Sequence, residues 1–207
     1  VCFDPSGPTF RHEAYEAYKA QREATPEDIK ASIPIIKEVV KAYNIPILEV
    51  AGFEADDVVG TLAKMAEKHD FKVYMLTPDK DYAQLVTENI FIYRPKHGGG
   101  YETLDVEGVK AKWNLDSPEQ VIDLSGLMGD TSDNIPGCPG VGEKTAVKLL
   151  ADFGSIDNLL KSTEQLKGAL KKKVEENVEK INFSKFLATI RQDVPIDFDE
   201  ELLLLKS

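Results

Sequence analysis

The sequence predicts an α/β core with a mainly parallel sheet flanked by helices, followed by a helical subdomain built round a glycine hairpin. Three observations carry this. Strand-like and helix-like segments alternate from residue 1 to about 104, the signature of a parallel sheet covered by helices. Beyond 104 the apolar residues recur at helical spacing. Finally, a glycine- and proline-rich segment, residues 135–142, joins two predicted helices. The expected division is 1–103 for the core and 104–207 for the helical part.

The elements follow in order. Val1-Cys2-Phe3-Asp4 reads as the end of a buried strand, without an initiator Met, so the chain is expected to begin inside a fold. A polar, aromatic and basic stretch runs from Thr9 to Arg22. Thr25-Pro26-Glu27-Asp28 supplies a cap, a proline for the first turn and early acids for a helix. Ile29, Ile33, Ile36 and Val40 continue it at helical spacing, and Pro34 is expected to kink or split it. Residues 45–50 form a short strand candidate. A helix over 54–69 carries Val58, Leu62 and Met65 as its apolar stripe. Residues 72–76 form a strand, a short helix starts near Tyr82, and the runs 90–93 and 101–104 flank Gly98-Gly99-Gly100 as a hairpin. Ser117-Pro118-Glu119-Gln120 is a capping box, and a helix from Gly142 stops near Gly154, with Ser155 capping the next. The stretch 163–190 is amphipathic and lysine-rich.

With 207 residues, 42% hydrophobic and 29% charged, the composition is that of an ordinary globular chain. No apolar run reaches the roughly 18 residues of a membrane span, and nothing resembles a secretion signal. Cys2 and Cys138 lie far apart without metal-ligand spacing and read as reduced cytosolic thiols. His12, His69 and His97 also lack ligand spacing and read as surface residues.

The net charge of −11 argues against a phosphate-binding partner if the acids are evenly spread. They are grouped. Asp4 ends the first strand; Glu54, Asp56 and Asp57 open a helix; Asp79 and Asp81 follow a strand; Asp130 and Asp133 lie in the loop Gly129-Asp130-Thr131-Ser132-Asp133-Asn134. Asp4 and Asp79 fall at carboxyl ends of strands, where open α/β sheets place their sites. Each group alone also reads as helix-dipole or turn chemistry. Together, eight carboxylates in one pocket require cations, and hard oxygen ligands suit Mg²⁺ or Mn²⁺. Setting those eight aside leaves −3 of the −11, which no longer excludes DNA.

In the hairpin, Gly140-Val141-Gly142 lets the backbone approach a partner, and the amides of the next helix point at an anion, with Lys144 and Thr145 behind them. That is a helix-hairpin-helix pattern, which grips phosphates without reading bases; a plain turn between packed helices is its alternative. The spacing and the Gly-Lys-Thr ending of a P-loop are missing. Upstream, Arg11, Tyr18, Lys19 and Arg22 place cations and aromatics on one side of a possible helix. They read as a solvated face or as a stacking and phosphate-holding arm.

The combination resembles the 5′-nuclease domains of bacterial DNA polymerase I. The residues that carry the likeness are Val1-Cys2-Phe3-Asp4, Thr9-Phe10-Arg11-His12-Glu13, Tyr18-Lys19 with Arg22, Glu54-Ala55-Asp56-Asp57, Asp79-Lys80-Asp81-Tyr82-Ala83-Gln84-Leu85-Val86 and the loop from Gly129 to Gly137. The resemblance implies a PIN/flap-endonuclease-like fold with a helix-hairpin-helix. It implies that Asp4, Glu54, Asp56 and Asp57 serve a first metal, and Asp79, Asp81, Asp130 and Asp133 a second. Lys19, Arg22 and Arg11 become catalytic cations, Tyr18 their aromatic neighbour, and Gly140, Val141, Gly142, Lys144 and Thr145 the DNA-binding hairpin. It further implies two Mg²⁺ or Mn²⁺ ions and K⁺ at the hairpin. The expected partner is DNA with 5′ flaps, nicks or 5′ ends, the expected neighbour a C-terminal polymerase domain, and the expected location a bacterial cytoplasm at the nucleoid. No membrane is involved.

The family begins with a further strand ending in a metal-ligating Asp that this sequence lacks, and Pro78 replaces a common Gly. A chain that is weakly active or inactive alone, and able to recruit a strand from another copy, is therefore expected. The alternative function is a sequence-independent DNA-binding module with an incomplete catalytic pocket. A haloacid-dehalogenase-type phosphatase fails because Asp4-Pro5-Ser6 lacks the Asp-x-Asp nucleophile.

Overall fold

A computed structural model describes residues 1–96 and 98–205, so His97 lies outside the described residues. The helices are α1 (Phe10–Ala14), α2 (Glu27–Ala42), α3 (Ala55–Lys68), α4 (Val106–Trp113), α5 (Gln120–Met128), α6 (Glu143–Phe153), α7 (Ile156–Lys161), α8 (Gly168–Glu176), α9 (Val178–Ala188) and α10 (Glu200–Leu203). The strands are β1 (Val73–Leu76), β2 (Ile90–Pro95) and β3 (Tyr101–Leu104), and a 3₁₀ helix spans Lys80–Leu85.

The sheet is mixed, in order β1-β2-β3. β1 runs parallel to β2 in the register Val73 to Ile90, and β3 returns antiparallel, Ile92 facing Leu104. The hairpin expected around the glycine triplet joins β2 to β3. A second parallel pairing survives only as one bridge, Cys2 to Leu48, so the segment 45–50 is not a full strand. Pro46 has no N–H to give a ladder, and the bonds there are Phe3 N to Leu48 O (3.0 Å) and Leu48 N to Val1 O (2.9 Å). Between this bridge and β1 lies a cavity of 580 Å³, lined in part by Val1, Cys2, Leu62, Met75 and Leu76. β1 therefore has β2 on one side and no described strand on the other.

α2 runs unbroken through Pro34, contrary to the expected kink. None of its residues is buried, so water can satisfy the carbonyl that proline leaves without a donor. Its isoleucines at 29, 33 and 36 stand exposed. α3 behaves differently. Its buried residues are Asp57, Val58, Gly60, Thr61 and Ala63, while Leu62 and Met65 of the expected stripe are only half-buried. α3 buries a carboxylate at its N-terminus, which propensity alone would not allow.

One contiguous core runs through both halves of the chain. It includes Leu85, Ile90 and Ile92 from the sheet side and Leu127, Leu150, Ile156 and Ile181 from the helical side. α5 is the centre of the helical part, packing on α9, α6 and the 3₁₀ helix. Ser155 caps α7 by accepting from Asn158 N, and α6 ends at Gly154 in the left-handed region, both as its sequence signals. Cys2 and Cys138 are free thiols.

The acidic loop after α5 is closed by two glycines packed back to back. Gly129 and Gly137 have φ of +75° and +61°, and a Cβ on Gly137 would collide with the backbone of Met128 and Gly129. Asp130 and Ile135 exchange both backbone hydrogen bonds across the loop, at 2.8 and 2.9 Å. Gly137→Ala should therefore cost about 2 kcal/mol or more of stability, read as a lower urea midpoint at unchanged slope. An unchanged midpoint would remove the glycine pair as the clasp of this loop.

Candidate active site

The site is built outward from a buried guanidinium. Arg11, on α1, is 1% exposed. Its Nη1 donates to Glu54 Oε2 (2.7 Å) and Asp57 Oδ2 (2.8 Å), and its Nη2 to Asp57 Oδ1 (2.8 Å) and Thr189 O (2.7 Å). Nε reaches Leu187 O at 2.9 Å, so all five donors are used. Burial works against the charge, but Asp57, Asp56 and Glu54 outweigh it and raise the pKa. Arg11 is thus a tie between α1, α3 and the end of α9. The expected role as a phosphate-facing arm cation is corrected, because no donor is left for a ligand.

Asp57 is corrected with it. Its Oδ1 also accepts from Arg191 N (2.8 Å) and its Oδ2 from Glu54 N (3.0 Å), so both oxygens carry two donors. Glu54, Asp56 and Asp57 can bring one oxygen each within 4.8 Å of the others, a spacing that suits a metal ion. Asp57 is nonetheless saturated, which leaves Glu54 and Asp56 as the members with capacity to spare. Among the described residues Asp56 accepts only the neighbouring Asp57 N–H, at 2.7 Å. Its pKa is raised to about 7 by burial, and then by the charges of Asp57 and Glu54.

Six carboxylates, Asp4, Glu54, Asp56, Asp79, Asp81 and Asp133, line a single cavity of 180 Å³ together with Lys19, Arg22 and Lys80. Asp4 is placed by its bond from Ala55 N (2.7 Å), which also caps α3. Asp79 accepts from Asp81 N (3.0 Å) at the start of the 3₁₀ helix. Burial, and then Asp79, raise the Asp81 carboxyl to about 7. Asp130 stands just behind the wall, its Oδ1 held by Ser132 N (2.7 Å) and Ser132 Oγ (2.5 Å) and its Oδ2 by Lys80 Nζ (2.5 Å). These bonds lower its pKa despite burial.

The arm residues are drawn inward. Lys19 pairs with Glu54, and Arg22 with Asp133. Tyr18 is 4% exposed and donates to Glu54 Oε2 at 3.0 Å, under the Lys19 ammonium 4.9 Å from its ring. In this structure Tyr18 cannot stack on a base, so that expectation is corrected: it is a core residue beneath the site. No single helix carries the arm, since α1 ends at Ala14. His12, read as a surface residue, instead faces Thr9 Oγ1 at 2.9 Å and packs edge-on to Tyr18.

In the hairpin, Gly140 takes φ +73° and Gly142 caps α6 with open space around it. Lys144 is exposed and Thr145 half-buried. The Val141 side chain is buried at 4%, so it anchors the turn, and only its backbone is available to a partner. Sequence reasoning missed Ser132, Lys80, Gln84 and the carbonyls of Leu187 and Thr189. Gln84 ties Ala188 O and Ile190 N to the 3₁₀ helix, at 3.0 and 2.9 Å. Lys80, between two acids, carried a signal; a backbone carbonyl carries none.

Two family models match. Residues 1–114 fit the N-terminal resolvase-like domain of the 5′-3′ exonucleases, and residues 116–207 their C-terminal SAM fold. Among curated relatives, DNA polymerase I of Bacillus caldotenax is 45% identical over 199 residues, covering 95% of this chain and 23% of the relative. DNA polymerase I of Bacillus subtilis (strain 168) is 47% identical over 199 residues, covering 95% of this chain and 22% of the relative. The chain thus spans about a quarter of the length of the curated relatives it matches. Among solved structures, the T5 5′-exonuclease with divalent metal ions (zinc) bound superposes with a TM-score of 0.73 at 23% identity. That match covers 91% of this chain and 72% of the other. The catalytic core of Rad2 in complex with DNA substrate superposes at 0.56 and 19% identity, covering 93% and 66%. At these identities the two structures establish the shared fold.

Two outcomes follow from the charges. Arg11→Met should cost about 3–5 kcal/mol, because it leaves Asp57 and Glu54 buried without their partner, whereas the exposed Arg22→Met should change the melting temperature little. Equal effects would remove Arg11 as the tie. In the metal-free protein, Asp56 and Asp81 hold protons that the unfolded chain releases near pH 4. Their contribution to stability therefore falls as pH rises from about 4 to about 7. Urea midpoints in EDTA should be lower at pH 7.5 than at pH 5.5, and Mn²⁺ should reverse the loss; a rising midpoint in EDTA would contradict the crowding of these carboxylates.

Proposed function

The chain belongs to the 5′-3′ exonuclease family, and from that premise we propose that it is the structure-specific 5′-nuclease part of a bacterial DNA polymerase I. In this reading it removes primers and 5′ flaps during replication and repair by metal-assisted phosphodiester hydrolysis. Residues 1–103 form the catalytic core and 104–207 the helical subdomain, with a polymerase domain elsewhere in the native protein. The observation that carries the reading is the single cavity where carboxylates from four distant parts of the chain meet. The bacterial DNA polymerase I relatives support DNA as substrate, and a bacterial cytoplasmic, nucleoid-associated setting belongs to the same proposal. Among the described residues, no helix is long and apolar enough to cross a membrane.

The donor set fits hard divalent cations, Mg²⁺ or Mn²⁺. Six carboxylates dominate the wall, and two of them are driven towards neutrality by burial and by the carboxylates beside them. Glu54, Asp56 and Asp4 would hold one ion, and Asp79, Asp81, Asp130 and Asp133 the other with its water. When bound, the ions supply a hydroxide at neutral pH and neutralise charge on the phosphorane.

The chain's own groups do the remaining work. Lys19 and Arg22, both on the cavity wall, move from their carboxylate partners to the phosphate and stabilise its developing charge. Arg11 keeps the α3 end fixed so that Asp56 stays aimed into the cavity. The turn of Gly140, Val141 and Gly142, with the α6 amides, Lys144 and Thr145, holds duplex phosphates at a distance and so sets which bond is cut. K⁺ at this hairpin belongs to the same proposal.

The test is a 5′-flap duplex with Mg²⁺ and the protein in its native length. Asp79→Asn or Asp130→Asn should lower the single-turnover rate about 10³-fold or more, the scale of losing several kcal/mol of charge stabilisation, while retaining the flap in a gel-shift assay. Retention without cutting by the unaltered protein would leave only the binding-module reading. Equal loss of binding and cutting in the variants would overturn the metal assignment.

A further inference from the structure

Three cations reach the carboxylate cavity, and Lys80 is the one without a role. It sits between Asp79 and Asp81, and its stem forms part of the cavity wall. Its ammonium donates to Asp130 Oδ2 at 2.5 Å, and it makes no other ion pair among the described residues. The other oxygen of Asp130 is already filled by the amide and hydroxyl of Ser132. Oδ2 is therefore the one atom through which Asp130 can bind a metal ion, and Lys80 covers it.

The pair is not needed to hold the loop. Asp130 is fixed by Ser132 and by the paired backbone bonds to Ile135, and the Lys80 side chain is 45% exposed. Lys19 and Arg22 differ here. The Lys19 ammonium also lies 3.8 Å from Asp133 Oδ2, and Arg22 Nε bonds Ser132 O at 3.1 Å, so each is anchored by a second contact. Lys80 is held by its single charge-assisted hydrogen bond to Asp130, on a flexible stem with a strongly hydrated head, and can be released at little cost.

We propose that Lys80 is a displaceable internal counter-ion, which occupies the free oxygen of Asp130 and must be expelled before a divalent cation can use it. This rests on the metal reading of the cavity. Lys80 is then a positioning residue that sets how tightly the Asp79–Asp81–Asp130 side binds metal.

The experiment is a Mn²⁺ titration without DNA, following free Mn²⁺ by electron paramagnetic resonance. Lys80→Met and Lys80→Gln should each tighten the weaker site about 10-fold, and Lys80→Arg should stay within about 2-fold of the unaltered protein. In an Asp130→Asn background, Lys80→Met should change nothing, because the oxygen it competes for is no longer a carboxylate. A Lys80→Met protein that binds Mn²⁺ as the unaltered one does, or that gains equally in the Asp130→Asn background, overturns the proposal and leaves the metal site standing. If the unaltered protein binds no Mn²⁺ at millimolar concentration, the metal reading fails, and the proposal with it.

Discussion

A buried guanidinium holding two carboxylates is the constraint on which the site depends. Arg11 joins α1, the first turn of α3 and the carbonyls at the end of α9, segments separated by up to 178 residues in sequence. Taking these charges out of water is costly, and the cost is offset only because every donor of Arg11 and every lone pair of Asp57 has a partner. The geometry leaves little freedom. Fixing Asp57 fixes the helix start, and the adjacent Asp56 then faces the cavity whatever its own preference. The carboxylate that faces the cavity is oriented by a neighbouring pair whose own donors and acceptors are taken up with each other and the backbone.

The same principle governs the charge of the whole chain. A net −11 would be unremarkable if it were spread over the surface, but here the acids converge and the cations follow them inward. Lys19, Arg22 and Lys80 each sit on a different carboxylate, and together they keep the cavity foldable before any metal enters. They do not neutralise it. Asp56 and Asp81 make no ion pair among the described residues, and burial with the carboxylates beside them raises the pKa of both. The cavity is thus held by organic counter-ions that sit on some of its carboxylates and leave others to their like-charged neighbours.

Much of this was legible in the residues. The strand-helix alternation, the β2–β3 hairpin, the Gly154 stop and the Ser155 cap are local signals, and local chemistry decided them. The carboxylate groups could be read because acids at strand and helix ends are conspicuous. What escaped was partnership across the chain. Arg11 and Lys19 look alike as basic residues in one polar stretch, yet one is sealed among carbonyls of α9 and the other lines a cavity. Asp57 looks like Asp56 until its four donors are counted. Val141 sits between two exposed glycines but turns its side chain into the core. Pro34 was overestimated because a kink matters only where the freed carbonyl is denied water.

The far side of β1 has a consequence of another kind. Among the described residues β1 has no strand on its far side, and an apolar recess lies beside that edge. Any extended segment with alternating aliphatic residues gains ladder bonds and burial there at once, whichever molecule it comes from. Colloidal behaviour then becomes a matter of supply. On this geometry, concentration would decide whether such an edge stays open or takes a strand from a second copy.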